Sequence, residues 1–232
     1  MDSSINSLPS YDGSAFPCMY SGYQDSNDVG THHLFYWMYK TQDPNNTAPV
    51  IVWINGGPGS SSMFGNFLEN GPLKITENAT ATDDDLYKFS VIDNPQGSWA
   101  DAANLIYIDQ PIGTGFSYSD PPEYLTEMSE LADEFVHFMA NLYNAYPELQ
   151  GRPLWMTGES YAGKYLPVFS NALLDSDANS YYNVTFNLNG TMVGNPYTAP
   201  LTQKTSRYEI PYALNVIDDS DLPQVDALIR RC

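Results

Sequence analysis

Four short apolar runs, each cut off by a glycine or proline turn, set the strongest constraint on how this chain can fold. Residues 49–54 (PVIVWI) stop at NGGPG, 105–108 (LIYI) at DQP, 154–157 (LWMT) at Gly158, and 187–193 (NLNGTMV) at GNP. Runs of this length without polar alternation read as strands buried on both faces, as in the interior of a parallel sheet. Between the second and third runs, Leu125, Met128, Leu131, Ala132, Phe135, Phe138, Met139, Leu142 and Tyr143 recur at helical spacing, with Glu127, Glu130, Asp133, Glu134 and Asn141 between them. That pattern predicts one long amphipathic helix, and a second follows the third run from about 161 to 174. Strands alternating with helices imply right-handed crossovers and an open, mostly parallel α/β sheet, whose chemistry lies beyond the carboxyl ends of the strands. The aromatic run 33–39 (HLFYWMY) adds a strand at an edge or in a hairpin. Residues 1–205 are expected to form this α/β unit. Residues 206–232, with helical patterning broken by Pro211 and Pro223, are expected to begin a helical second layer or cap.

The composition narrows the partners. Hydrophobic residues make up 42 % and aromatics 14 % of 232 residues, enough for a sizeable core. With 28 acidic against 9 basic side chains the formal charge is −19, which repels phosphate backbones and anionic membrane surfaces, and no local basic patch offsets it. No apolar run approaches the roughly 18 residues of a membrane span, and the opening MDSSINSLPS lacks the basic and apolar regions of a signal peptide. Met1 therefore reads as a cytosolic start or as a cut downstream of a leader. Cys18 and Cys232 could pair, yet two cysteines do not make a disulfide scaffold. Asn-x-Ser/Thr acceptors at Asn45, Asn78, Asn183 and Asn189, in polar, loop-like surroundings, favour a glycosylated, non-cytosolic protein. The acidic triplet at 83–85 lacks the spaced ligands and glycine of a calcium loop and reads as a solvated turn; no metal or cofactor is expected.

Two strand ends carry chemistry. In LWMTGESYAG (154–163) a buried strand runs into Gly158-Glu159-Ser160 and then a helix, the setting that pushes a serine out at the top of a sheet as a nucleophile. Gly158 and Ala162 are the small residues such a turn needs, although glycine is usual at the second site. A helix N-cap is the other reading of Ser160. The stretch NGGPGSSS (55–62) fails as a phosphate cradle, because no Lys-Ser/Thr follows its glycines. It suits an oxyanion hole, with glycines exposing N–H groups at a strand end; a plain turn is the alternative.

Taken in series, YSGY (20–23), HLFYW (33–37), WINGGPGSSS (53–62), FLENGP (67–72), DQPIGTGFSY (109–118) and GESYAGKY (158–165) resemble the serine carboxypeptidases, from about residue 18 onward. The resemblance implies an α/β-hydrolase fold and removal of single residues from peptide C-termini through an acyl-enzyme. It implies Ser160 as nucleophile, with the N–H groups of Gly57 and Tyr161 as oxyanion hole. It also implies Asn55, Glu69 and Glu159 as the cluster for the substrate's terminal carboxylate, with Trp53 and Gly56 beside it. Two glutamates facing a carboxylate repel it unless at least one keeps its proton, so peptide binding should favour mildly acidic solution.

The chain departs from the family in two places. Ser60 stands where the family usually has cysteine, which removes a disulfide from the oxyanion loop and puts its rigidity in question. The family's Asp and His follow the serine, yet His32, His33 and His137 all precede Ser160 and read as structural or surface groups. The expectation is therefore the N-terminal portion of such an enzyme, inactive alone, its partner being a missing C-terminal half or second chain. Acyl transfer to another acceptor and a catalytically dead peptide-binding homologue are the alternatives. A lysosomal, vacuolar or secreted destination fits the acidic binding chemistry.

Overall fold

The computed structural model describes residues 4–8, 11, 17–41, 47–77, 82, 88–175 and 182–231, so Asn45, Asn78, the 83–85 triplet and Cys232 lie outside the described residues. Residues 1–196 and 197–232 are two units. The first is built on an eight-stranded sheet of β1 (Ser4–Ile5), β2 (Met19–Asp25), β3 (His32–Tyr39), β4 (Val50–Ile54), β7 (Asn104–Asp109), β8 (Tyr118–Ser119), β9 (Leu154–Glu159) and β10 (Leu188–Gly194). A separate hairpin pairs β5 (Leu73–Glu77) with β6 (Phe89–Asp93). The main order is β1-β2-β3-β7-β4-β9-β10, with β8 on β3.

The sheet is mixed. The four apolar runs read from sequence are the parallel block β7-β4-β9-β10, and the 33–39 run is the interior partner of an antiparallel β2–β3 hairpin that joins this block through β7. β7 shows why an unbroken apolar run belongs there: every one of its residues is buried. Successive side chains alternate between faces. Ile106 and Ile108 join Val52, Ile54 and Met156 on one face, while Leu105 and Tyr107 join Trp53 and Tyr39 on the other. The first face is covered by α1 (Met128–Ala145) and α2 (Ala162–Leu174), whose Phe135 and Phe169 rings stack at 4.4 Å. Leu73, at the start of the β5–β6 hairpin, packs in the second.

The unit 197–232 holds three short helices among its described residues, Pro200–Thr205, Glu209–Ala213 and Leu222–Ile229. Pro223 stands in the first turn of the last one, where its missing N–H costs nothing. No helix among the described residues is long and apolar enough to cross a membrane.

One helix residue of polar pattern is buried for a reason the periodicity does not carry. Glu134 of α1 meets His32 at the start of β3, taking its Nδ1, while Glu123 takes Nε2; Ser26 Oγ donates to Glu134 at 3.1 Å. Carboxylates on both ring nitrogens suit an imidazolium with two N–H donors. Burial pushes the His32 pKa down, but the hydrogen bonds and charges of Glu134 and Glu123 outweigh it and hold it above the ordinary value. A raised histidine contributes its full stability below the unfolded value of about 6.5 and loses it as pH rises through the folded value. Stability should therefore fall between pH 6 and 8 on chemical denaturation. His32→Gln, which strands a buried carboxylate, should cost about 3 kcal/mol at pH 6 and flatten that dependence.

Candidate functional site

Parallel register brings the strand ends to one edge. Trp53 pairs with Tyr107 and with Thr157, and Ile54 with Gly158, so the turn after β4 meets the turn after β9. Ser160 sits in the second turn with φ 56°, a left-handed backbone that a serine adopts only under strain. Its N–H donates to the Gly194 carbonyl at the end of β10 (3.0 Å), and its own carbonyl accepts from Gly163 in the first turn of α2 (3.0 Å). The N-cap of α2 is Tyr161, without a side-chain capping bond, so Ser160 does not serve as the cap. Its side chain is left to face the cleft.

The 55–62 turn presses against this elbow. A Cβ on Gly56 would stand 2.8 Å from the Glu159 carbonyl and 2.9 Å from Ser160 Cβ, and would strike the Tyr161 N–H as well. Only glycine permits that approach. Gly57 follows at φ 107°, again a glycine conformation. Asn55, Gly56, Gly57, Ser60, Ser61, Met63, Phe64, Glu159 and Ser160 line one cleft of about 620 Å³.

Beside the elbow, Asn55 is held in one orientation. Its buried Oδ1 accepts from Trp53 Nε1 (2.8 Å) and from the Gly65 N–H (3.1 Å), which turns Nδ2 toward Glu159 Oε1 (3.0 Å) and Glu69 Oε1 (3.5 Å). Trp99 braces the Trp53 indole edge-on, with centroids 5.4 Å apart. Glu69 ends a single π-helical turn, Gly65–Glu69, pinned by Tyr39 OH on Asn66 Oδ1 (2.8 Å) and Tyr107 OH on Asn70 Oδ1 (2.7 Å). Burial, and then the neighbouring Glu159 charge, raise the Glu69 pKa by more than the Asn55 hydrogen bond lowers it.

All eight residues expected at the site, Trp53, Asn55, Gly56, Gly57, Glu69, Glu159, Ser160 and Tyr161, come together at this edge. The histidines do not join them. His32 is taken by Glu134 and Glu123, His33 Nδ1 by Asp25 (2.8 Å), and His137 Nδ1 by Tyr182 OH (2.7 Å). Of the two described glycan acceptors, Asn183 and Asn189 are both exposed, Asn189 in strand β10 and not in a loop. Cys18 is exposed. Sequence reasoning did not single out Met63 and Phe64 in the cleft wall or Asp109 beneath the 55–62 turn. The sign of Asp109 was a carboxylate ending a fully apolar strand, while the place of Met63 and Phe64 depends on how that turn folds back.

Comparison with known proteins follows the same line. Residues 9–231 match the family model for serine carboxypeptidase. Among curated proteins, the pheromone-processing carboxypeptidase of Aspergillus oryzae is 33 % identical over 93 % of this chain and 32 % of its own length. That of Uncinocarpus reesii is 34 % identical over 94 % of this chain and 33 % of its own length. The chain thus spans about a third of the length of the curated relatives it matches. The crystal structure of Kex1Δp, a prohormone-processing carboxypeptidase from Saccharomyces cerevisiae, superposes with a TM-score of 0.80 at 28 % identity, covering 93 % of this chain and 47 % of that one. The mixed sheet between helices and the β5–β6 hairpin is accordingly of the α/β-hydrolase type.

Because burial and the Glu159 charge raise the Glu69 pKa, its contribution to stability is complete below the unfolded carboxyl value of about 4.3 and is lost as pH rises through the folded value. Glu69→Gln should melt at a higher temperature than the parent at pH 7 and at the same temperature at pH 4, as thermal denaturation at the two pH values would read.

Proposed function

Since the chain belongs to the serine carboxypeptidase family, we propose that it carries the nucleophile and the substrate-carboxylate site of a serine-type carboxypeptidase. In this reading Ser160 attacks the last peptide carbonyl, and the Gly57 and Tyr161 N–H groups receive the charge that develops on the carbonyl oxygen. The observation that carries it is Ser160 at φ 56° in one cleft with Asn55 and Glu159, Glu69 lying next to them.

The same cluster explains why the cut is made at a chain end. A terminal carboxylate brought to the Asn55 Nδ2 donor and a protonated Glu69 finds two hydrogen bonds in a half-buried setting, whereas an internal peptide brings no charge to match. As Glu69 ionises, one donor becomes a repelling charge. Binding then weakens with rising pH while the position of Ser160 is unchanged.

The general base and its carboxylate partner come, in this proposal, from sequence outside these 232 residues, because each of the three histidines is engaged by other side chains. The chain alone would then be inactive. The relatives are pheromone- and prohormone-processing carboxypeptidases, so peptides with accessible C-termini are the substrate class we assign. Exposed glycan acceptors at Asn183 and Asn189 support a secreted, vacuolar or lysosomal setting.

The test uses the longest natural protein that contains this chain. A fluorophosphonate probe should label it at Ser160, and Ser160→Ala should lose both the label and about 10⁴-fold or more in kcat on a blocked dipeptide. KM for that peptide should rise from pH 4.5 to pH 7 through loss of the Glu69 proton. An unlabelled Ser160, or a KM indifferent to pH across this range, would refute the assignment.

A further inference from the structure

The turn that faces the Ser160 elbow is clamped at both ends by the last two residues of β7. At its start, the Asn55 N–H donates to Ser62 Oγ (3.1 Å), and Ser62 Oγ donates onward to the Ile108 carbonyl (2.6 Å). At its end, Ser61 Oγ and the Ser62 N–H both donate to Asp109 Oδ1, each at 2.7 Å. The other carboxylate oxygen accepts from the Phe116 N–H at 3.0 Å. Asp109 is fully buried, and its surroundings are shaped to it. A Cβ on Gly115 would fall on its carboxylate and within 2.9 Å of Ser61 Oγ.

A carboxylate accepts and does not donate, so an oxygen pair ringed by hydroxyl and amide donors fits its ionised form, and an amide in its place would turn N–H groups toward N–H groups. The bonds are charge-assisted and shielded from water, where fixing a loop by this means is most effective. The turn holds no cysteine, and the Asp109 carboxylate ties it non-covalently at Ser61.

We propose that Asp109 is a positioning residue for the reaction: through Ser61 and Ser62 it holds the Gly56–Gly57 segment so that the Gly57 N–H meets the developing oxyanion. This rests on the serine carboxypeptidase reading for its catalytic consequence, whereas the anchoring itself does not. Loss of Asp109 should leave substrate carboxylate binding by Asn55 and Glu69 comparatively intact and weaken stabilisation of the transition state, so the loss falls on kcat.

The experiment compares Asp109→Asn and Ser61→Ala with Leu142→Ala, a buried α1 residue remote from the turn, in the longest natural protein that contains the chain. Three quantities are read: kcat and KM on a blocked dipeptide, the rate of fluorophosphonate labelling, and amide hydrogen exchange of residues 55–64 against α1. Asp109→Asn should lower kcat and the labelling rate about a hundredfold with KM within about threefold, as loss of an aligned oxyanion donor does. It should also speed exchange across 55–64 and leave α1 protected. Leu142→Ala should lose thermal stability and keep kcat. Ser61→Ala, which removes one donor and keeps the fold, should show the same signature in smaller measure and carries the test if Asp109→Asn does not fold.

Unchanged exchange across 55–64 in the folded variant, or a kcat loss matched by Leu142→Ala at equal loss of melting temperature, overturns the proposal. A parent protein inert to the probe, with Asp109→Asn still loosening 55–64, overturns the hydrolase reading and upholds the anchor.

Discussion

The register of β4 between β7 and β9 is the constraint on which the cleft depends. With Trp53 opposite both Tyr107 and Thr157, the turns leaving the three strands emerge side by side. A slip of one residue would exchange the two faces, sending Trp53 under the helices and Val52 and Ile54 toward the β5–β6 side. It would also carry Gly56 away from the elbow it alone can approach. The packing of two different apolar faces, Val52 and Ile54 under the helices and Trp53 on the other side, therefore also aligns Asn55, Asp109 and Ser160.

Electrostatics gives the same edge a bias toward acid. The chain carries a formal charge of −19, and burial raises the pKa values of three described carboxyls: Asp109 under the 55–62 turn, and Glu69 and Glu134, which set the bias. Glu134 is matched by a histidine whose own value is held up by the pair. Both arrangements cost less when protons are plentiful. One sits by the sheet's antiparallel wing and the other beside Asn55 at the edge of the cleft, so stability and the proposed recognition of a terminal carboxylate lean the same way.

Much of this was legible in the sequence because it is written in local patterns. Unbroken apolar runs identified β4, β7, β9 and β10, and the 3.6-residue periodicity identified α1. Glycines beside strand ends marked both turns. What was not legible depends on pairs distant in the chain. Glu134 falls on the polar side of the helical pattern and is buried only because His32 arrives from β3. Asp109 stands in the sequence only as the residue after an apolar run, and its bonds to Ser61 and Ser62 require that β4 and β7 be neighbours. The 33–39 run reads from sequence as a strand at an edge or in a hairpin, because strand order cannot be deduced from a single aromatic run, and its place between β2 and β7 depends on pairing across the chain. The order of motifs along the chain, more than any one motif, connected Asn55, Glu69 and Glu159 before geometry did.

The left-handed backbone at Ser160 also separates what the turn needs from what its side chain offers. Glycine would take φ 56° without a Cβ penalty, so the turn itself does not call for serine. Serine stands there at a conformational cost, in a turn whose neighbours Gly56 and Gly158 are glycine where crowding demands it. The strained turn thus presents a hydroxyl at the end of β9, where a glycine would take the same backbone at less cost and present none.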